Sequence, residues 1–488
     1  MINLSVVEIF IVLGLILMTA YWQKISIGHV KPPLDFLVCK ILILSICSLI
    51  ISIFTLSLAR SQDNNQWYKS IFDQSNTDID KYPTLFPKKP VQFRDLRNSS
   101  VPLRSEEMLY RIDKAILYYR KLIAKGGWQI KRGLKLLRQG DDDPAIPSIR
   151  KRLVLSRDIP PEDASFYKHS FHFDEQLEMG VKHFQKRHGL RISGKLDRST
   201  RRQIVVTPEE RLRQLIINRK RISNHLEDGK INRYILVNTA SFQLEAIDQF
   251  EVQQYHRVVV GKTDRQTPEI NAIIIGLNFF PFWRVPDSVA NIDLIPRLLR
   301  EPDYLDKEHI SAVKGHYGGP VLDIKYIDWY NIDTKKIKFR QAPGPWNALG
   351  LVRINMPNKE IIYLHDTPMK NLFKQRLRAF SAGCVRVENV LDLVSWIARY
   401  EPLLSELGAV NQLISQANMD RIRLKRPEDF DVILTRPLRV FLTYITAWVN
   451  DDNSVAFRQD IYGRDGSDNK PYSDIDVEIP FIPNVLSP

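Results

Sequence analysis

At Arg233 the hydrophobic periodicity of the chain changes, and this limits the fold to a helical part followed by a β-rich part. Before it, Leu109, Ile112, Ile116, Tyr119 and Leu122 recur at helical spacing and predict an amphipathic helix from Ser105 to about Lys125. After it, "RYILVNTASFQLEAI" and "QYHRVVVGK" are rich in β-branched and aromatic residues, which predicts a hairpin and a further strand. "NAIIIGLNFFPFWRVP" supplies another strand that ends at prolines. The fold class is therefore multidomain α+β, and 488 residues leave room for two or three domains with separate cores.

The first 60 residues are of another kind. Residues 3–22 and 41–59 are apolar and nearly free of charge, each close to the roughly 20 residues that span a bilayer core. Lys24, Lys31 and Lys40 lie between them, and the positive-inside rule keeps such a loop in the cytoplasm. Everything after Arg60 then lies on the periplasmic side of the inner membrane. Alternatively, Lys40, the apolar run and "SLA" at 57–59 form a cleavable signal peptide, with the true start downstream of Met1. Both readings export the rest of the chain, anchored or secreted to the periplasm; a pair of apolar core helices would not. The expected layout is a candidate membrane helix at 1–22, a membrane helix or signal peptide at 34–59, and a linker with helical scaffold at 60–130.

A net charge of +14 suits a polyanionic partner, or simply a solvated basic surface. No nucleic-acid motif accompanies the charge, and nucleic acid is not an expected partner. The "VVVGKT" at 258–263 is no phosphate loop, because the place of its first glycine is held by His256. Of three cysteines, Cys39 and Cys47 lie in or beside an apolar run, which leaves Cys384 without a partner in the exported part. His169, His172, His183 and His188 lie close in sequence, but no HExxH or CxxC accompanies them and no metal site is expected.

Cys384 is thus either inert packing or a reactive group. It follows Ser381, Ala382 and Gly383, which leave little bulk around the thiol, and a glycine lets backbone N–H groups approach a developing oxyanion. Arg386 adds positive charge that favours thiolate. His365 ends the apolar strand "IIYLH", and an imidazole beside a thiol takes its proton and later passes one to a leaving group.

Two resemblances follow from these motifs. Leu137, Arg138 and Gly140, then Val181, Phe184, Gln185, Gly189, Leu190, Gly194 and Thr200, resemble the pattern of a small helical peptidoglycan-binding domain. Here Gly180 replaces the usual alanine and "DIPPEDASFYKHS" looks inserted. This module is set at 131–206, followed by a connecting helix at 207–230. It either binds glycan strands or serves as architecture. Lys182, Lys186 and Arg187 are expected on the exposed side of its "FQKRHGL" helix.

The segment from His365 to Arg386 resembles the catalytic motif of the L,D-transpeptidases, with His365, Thr367, Ser381, Gly383, Cys384 and Arg386 in the matching places. "VVVGKTDRQTP" and "PGPWNALG" also look like strands and loops of that family. The resemblance implies a mixed, largely antiparallel β-rich catalytic domain at 231–400, with a capping insertion at 287–340 and a C-terminal extension, 401–488, packing on it. It implies Cys384 as nucleophile, His365 as proton acceptor and donor, and the Asp366 backbone carbonyl as the group orienting His365. Ser381 and Gly383 would shape the oxyanion turn. Arg386 would bind a substrate carboxylate or pair with Glu388, and Trp346 and Tyr363 would line the acyl pocket or pack in the core. The implied substrate is a tetrapeptide stem of peptidoglycan. It loses its terminal D-alanine to a thioester, which a diamino-acid amine resolves into a 3-3 cross-link without metal or organic cofactor. Water as acceptor would give an L,D-carboxypeptidase, and a lipoprotein amine an attachment enzyme. A catalytically silent wall anchor is the reading from another class.

Overall fold

The computed structural model describes residues 96–160, 170–401 and 431–466, with the single positions 410 and 414. The apolar segments at 3–22 and 41–59 lie outside the described residues. Among those that are described, no helix is long and apolar enough to cross a membrane.

Helix α1 (Glu106–Ala124) starts where Ser105 accepts the Met108 N–H on its side chain, and it buries Met108, Ile112, Ala115, Ile116, Tyr119 and Leu122. It packs on α5 (Pro208–Leu226), which opens with a reciprocal capping box between Thr207 and Glu210. Between them lies the small helical module of α2 (Ile146–Leu155), α3 (Glu175–Arg187) and α4 (Arg198–Ile204). Its core gathers Leu137, Ile149, Leu153, Leu177, Val181, Phe184 and Leu196. The Gln185 side chain accepts the N–H groups of Ser193 and Gly194, each at 2.9 Å, and donates to Lys195 O and Thr200 Oγ1. The glutamine, glycine and threonine of the sequence motif are therefore one hydrogen-bonded turn. Gly189, at φ +63°, ends α3 in the left-handed conformation expected of it.

The catalytic part follows as β1 (Arg233–Asn238), β2 (Gln243–Asp248), β3 (Glu251–Gly261), β4 (Ile270–Phe279), β5 (Trp283–Arg284), β6 (Ile310–Lys314), β7 (Ile337–Gln341), β8 (Val352–Asn355), β9 (Leu364–His365), β10 (Ala379–Ser381), β11 (Val385–Val387), α6 (Val390–Ala398), β12 (Asp431–Thr443), β13 (Ala447–Val449) and β14 (Val455–Phe457). Nine strands form the main sheet in the order β10-β3-β11-β9-β8-β4-β12-β1-β2. Long β3 also pairs with β2, so the sheet closes on itself. Pairing is antiparallel except at β1–β12, β9–β11 and β3–β10.

The C-terminal region does more than pack on the domain. Strand β12 lies inside the sheet between β1 and β4, so the β-rich domain extends well beyond residue 400. The capping insertion carries its own three-stranded sheet, β5-β7-β6, running from Trp283 to Gln341 and slightly wider than 287–340. Short helical turns between Asp287 and Lys307 complete its core around Trp283, Leu294, Leu298 and Phe339. Tyr363 and Ala382 pack against that core. The cap therefore touches the neighbours of both His365 and Cys384.

The module is locked to the β13–β14 hairpin. Arg187 holds Asp158 through Nε and Nη2 at 2.7 and 2.6 Å and donates from Nη1 to Val455 O. This corrects the expectation of an exposed Arg187, which is buried. Helical period cannot reveal a hairpin some 270 residues away in sequence that covers that side of the helix. Lys186 is exposed, and Lys182 is partly exposed and pairs with Glu178.

Candidate active site

Strands β9 and β11 run parallel, with Leu364 beside Val385 and His365 beside Arg386. This register brings together the two motif halves that are 19 residues apart in sequence. The turn before β11 is built by Ser381, whose hydroxyl accepts the Gly383 N–H at 3.1 Å and donates to Cys384 O at 2.5 Å. Gly383 sits at φ +128°, where a side chain would be strained.

Cys384 is buried, at 7% exposure, and its Sγ lies 3.9 Å from Ile361 O. Burial pushes the thiol up to about 11, partly opposed by hydrogen bonds from Tyr363 and by the charge of Arg386. Arg386 thus favours thiolate, as its position in the sequence suggests, but desolvation outweighs it. His365 is fully buried, and neither ring nitrogen has a hydrogen-bond partner. Burial first, and Arg386 next, hold its pKa well below the ordinary imidazole range. The resting pair is a thiol and a neutral imidazole.

The Asp366 backbone acts on the His365 ring and favours its protonated form, although neither ring nitrogen has a close hydrogen-bond partner. Its carboxylate instead accepts the Leu351 N–H at 3.0 Å and binds Lys370. Tyr363 is hydrogen-bonded to Cys384, and its ring meets that of His365 edge-on at 5.6 Å. Trp346 stacks on His309 of the cap at 3.9 Å. Arg386 is buried, with Nε and Nη1 unpartnered. Glu388 lies against Arg257. Among the described residues, no group of acidic, histidine or cysteine side chains is arranged to hold a metal ion.

Three contributors were not found from sequence. Thr267 accepts the Gly261 N–H at 2.9 Å and donates to Gly383 O at 2.7 Å, tying β3 to the nucleophile turn. Tyr462, from the C-terminal region, donates to Gly261 O at 2.7 Å. Arg353 on β8 faces His365 in register. The threonine was within reach, since it stands in the family-like "VVVGKTDRQTP"; the other two depend on distant strand pairing.

The family of the L,D-transpeptidase catalytic domain (YkuD) matches residues 232–408, and a "Putative peptidoglycan binding domain" matches residues 167–204. A "Putative L,D-transpeptidase" of Haemophilus influenzae is 35% identical over 232 residues, which are 47% of this chain and 44% of that protein. The chain thus spans less than half the length of that relative. The crystal structure of an L,D-transpeptidase from Xylanimonas cellulosilytica aligns with 64% of this chain and 100% of its own, at 11% identity and a TM-score of 0.19, too low to bear on the fold. This chain thus carries an L,D-transpeptidase catalytic domain at 232–408, with a module of the peptidoglycan-binding type ahead of it at 167–204.

Proposed function

We propose that the protein is a cysteine acyltransferase of the cell wall that acts on tetrapeptide stems of peptidoglycan. The observation that carries this reading is the β9–β11 register, which sets His365 on the strand beside Cys384 under a cap that touches both segments. When substrate enters, His365 takes the Cys384 proton and the sulfur attacks the carbonyl carbon of the third residue. The carbon–nitrogen bond breaks, and the same proton passes to the leaving D-alanine nitrogen. A thioester remains, and the side-chain amine of a diamino acid on a neighbouring stem resolves it into a 3-3 cross-link.

Transfer is favoured over hydrolysis because the nucleophile and base are both buried beneath the cap, where water has little access to the thioester. The helical module would keep the enzyme on glycan strands. The apolar segments at 3–22 and 41–59 would hold or export it to the periplasmic side of the inner membrane, where such stems lie. The deciding experiment is mass spectrometry after incubation with disaccharide-tetrapeptide. A cross-linked dimer supports transfer, a tripeptide product alone identifies a carboxypeptidase, and unchanged substrate identifies a silent anchor.

A further inference from the structure

Arg353, His365 and Arg386 form one row across the sheet. Arg353 pairs with His365 across antiparallel β8–β9, and Arg386 pairs with His365 across parallel β9–β11. Register partners project to the same face of a sheet, so the imidazole stands between two guanidinium-bearing side chains. Among the described residues, no ion pair joins either arginine to a carboxylate. The nearest candidate in sequence, Asp366, is already held by Lys370 and the Leu351 N–H.

The two arginines are fixed differently. Arg353 donates from Nε to Asn355 Oδ1 at 2.8 Å and lies 5.7 Å from the centre of the Tyr363 ring. Arg386 is 1% exposed, and its Nε and Nη1 have no hydrogen-bond partner. A buried guanidinium with unmet donors is costly, and a planar, two-oxygen acceptor is the group that best satisfies it. The thiol of Cys384, uncharged at rest, is no such acceptor.

The chemistry of the reaction indicates where that acceptor sits. His365 returns its proton to the leaving nitrogen, which must therefore lie against the imidazole. When the scissile bond is the last of the stem, a free α-carboxylate is one carbon away from that nitrogen. It then falls beside His365, where the two arginines stand. Resting on the transpeptidase reading above, we propose that Arg353 and Arg386 form a subsite for the free α-carboxylate of the leaving amino acid. The pair selects donors whose scissile bond is terminal, and it takes no part in bond exchange.

The test uses two donor peptides identical except for a terminal carboxylate or carboxamide, turned over by the whole protein and by Arg353→Gln, Arg353→Lys and Arg386→Lys. The wild type should prefer the carboxylate by about 100-fold in kcat/KM, because the amide leaves buried donors unmatched. Arg353→Gln should cut that preference about tenfold, mainly through KM, and Arg353→Lys should recover part of it. A readout free of the peptide reaction is the ratio of Cys384 alkylation rates by iodoacetate and by iodoacetamide. It should fall several-fold in both Arg353→Gln and Arg386→Lys. Peptides that stay inert while this ratio tracks the arginines would remove the transpeptidase reading and leave the anion subsite standing. Equal use of both peptides by the wild type, or an alkylation ratio unmoved in both variants, would overturn the subsite. Arg353 is only partly buried, so its variants keep the test decisive if Arg386→Lys fails to fold.

Discussion

His365 and Arg386 are register partners on parallel strands, and Cys384 immediately precedes the strand that carries Arg386. The backbone ladder, not a hydrogen bond between side chains, sets the spacing of His365 and Cys384. No side chain is hydrogen-bonded to the imidazole at rest, so engagement of His365 with Cys384 is expected only when substrate arrives.

Cys384→Ala should therefore remove acylation completely while leaving the fold in place. The sulfur is small, and the turn is held by Ser381 and Thr267, so the expected loss of stability is roughly 1 kcal/mol. Intact-mass analysis after exposure to a carbapenem should show one adduct on the wild type, mapped to Cys384, and none on the variant. An adduct on Cys384→Ala would assign the nucleophile elsewhere.

His365→Gln should lower turnover by roughly 10²–10⁴-fold if the imidazole is the general base. Alkylation by iodoacetamide should behave differently, because the resting thiol is not paired with the ring. With the Cys384 pKa pushed up to about 11, the labelling rate should climb steadily from pH 6 to 9 in both proteins. A plateau near neutral pH in the wild type, lost in His365→Gln, would instead reveal a preformed thiolate–imidazolium pair.

The site was legible in sequence because its chemistry is local. Ser381, Gly383, Cys384 and Arg386 share one turn and strand, and His365 ends a short apolar run. The strand signals at Arg233, Gln243, Glu251 and Ile270 were read for the same reason, since alternation is a property of neighbours. What failed to show was everything set by distant pairing. Strand β12 enters the sheet beside β1 through a crossover of nearly 200 residues, which no periodicity records. Arg187 looked like a solvated cation on a helix face, yet the hairpin closes over it. Arg353 carried no motif at all, and only the β8–β9 register makes it a neighbour of His365.

Gly180 explains a departure from the helical-module pattern. A Cβ added there would lie 2.4 Å from Ile159 Cγ1. Gly180→Ala gains helix propensity, about 1 kcal/mol, but the overpacking costs roughly 1–3 kcal/mol. The net effect should be destabilising by up to about 2 kcal/mol in denaturant unfolding. Gly180→Ala with Ile159→Ala should be less than additive, because the second change removes the clash. Full additivity would mean that the helix shifts freely and the glycine has no packing role.

The last prediction concerns the clamp between the module and the hairpin. His183 on α3 lies 2.8 Å from Asp158 through Nδ1 and 3.3 Å from Asp452 through Nε2. Asp158 first, then Asp452, raise its pKa from 6.5 to about 9. A group whose folded pKa is raised contributes its stability fully below the unfolded value and loses it as pH rises through the folded one. The wild type should therefore lose stability between pH 6.5 and 9 more steeply than His183→Gln, as read from unfolding midpoints across that range. Arg187 shares Asp158 but stays charged throughout, so Arg187→Ala should cost about 3–5 kcal/mol towards pH 9 and less near pH 6.5, where charged His183 still pairs with the buried carboxylate. Lys186, which is exposed, belongs to neither clamp. Lys186→Glu should leave the unfolding midpoint unchanged and weaken salt-sensitive co-sedimentation with insoluble peptidoglycan. Parallel pH curves for wild type and His183→Gln would remove the histidine from the clamp. Unaltered sedimentation of Lys186→Glu would leave the module as a brace for the catalytic domain.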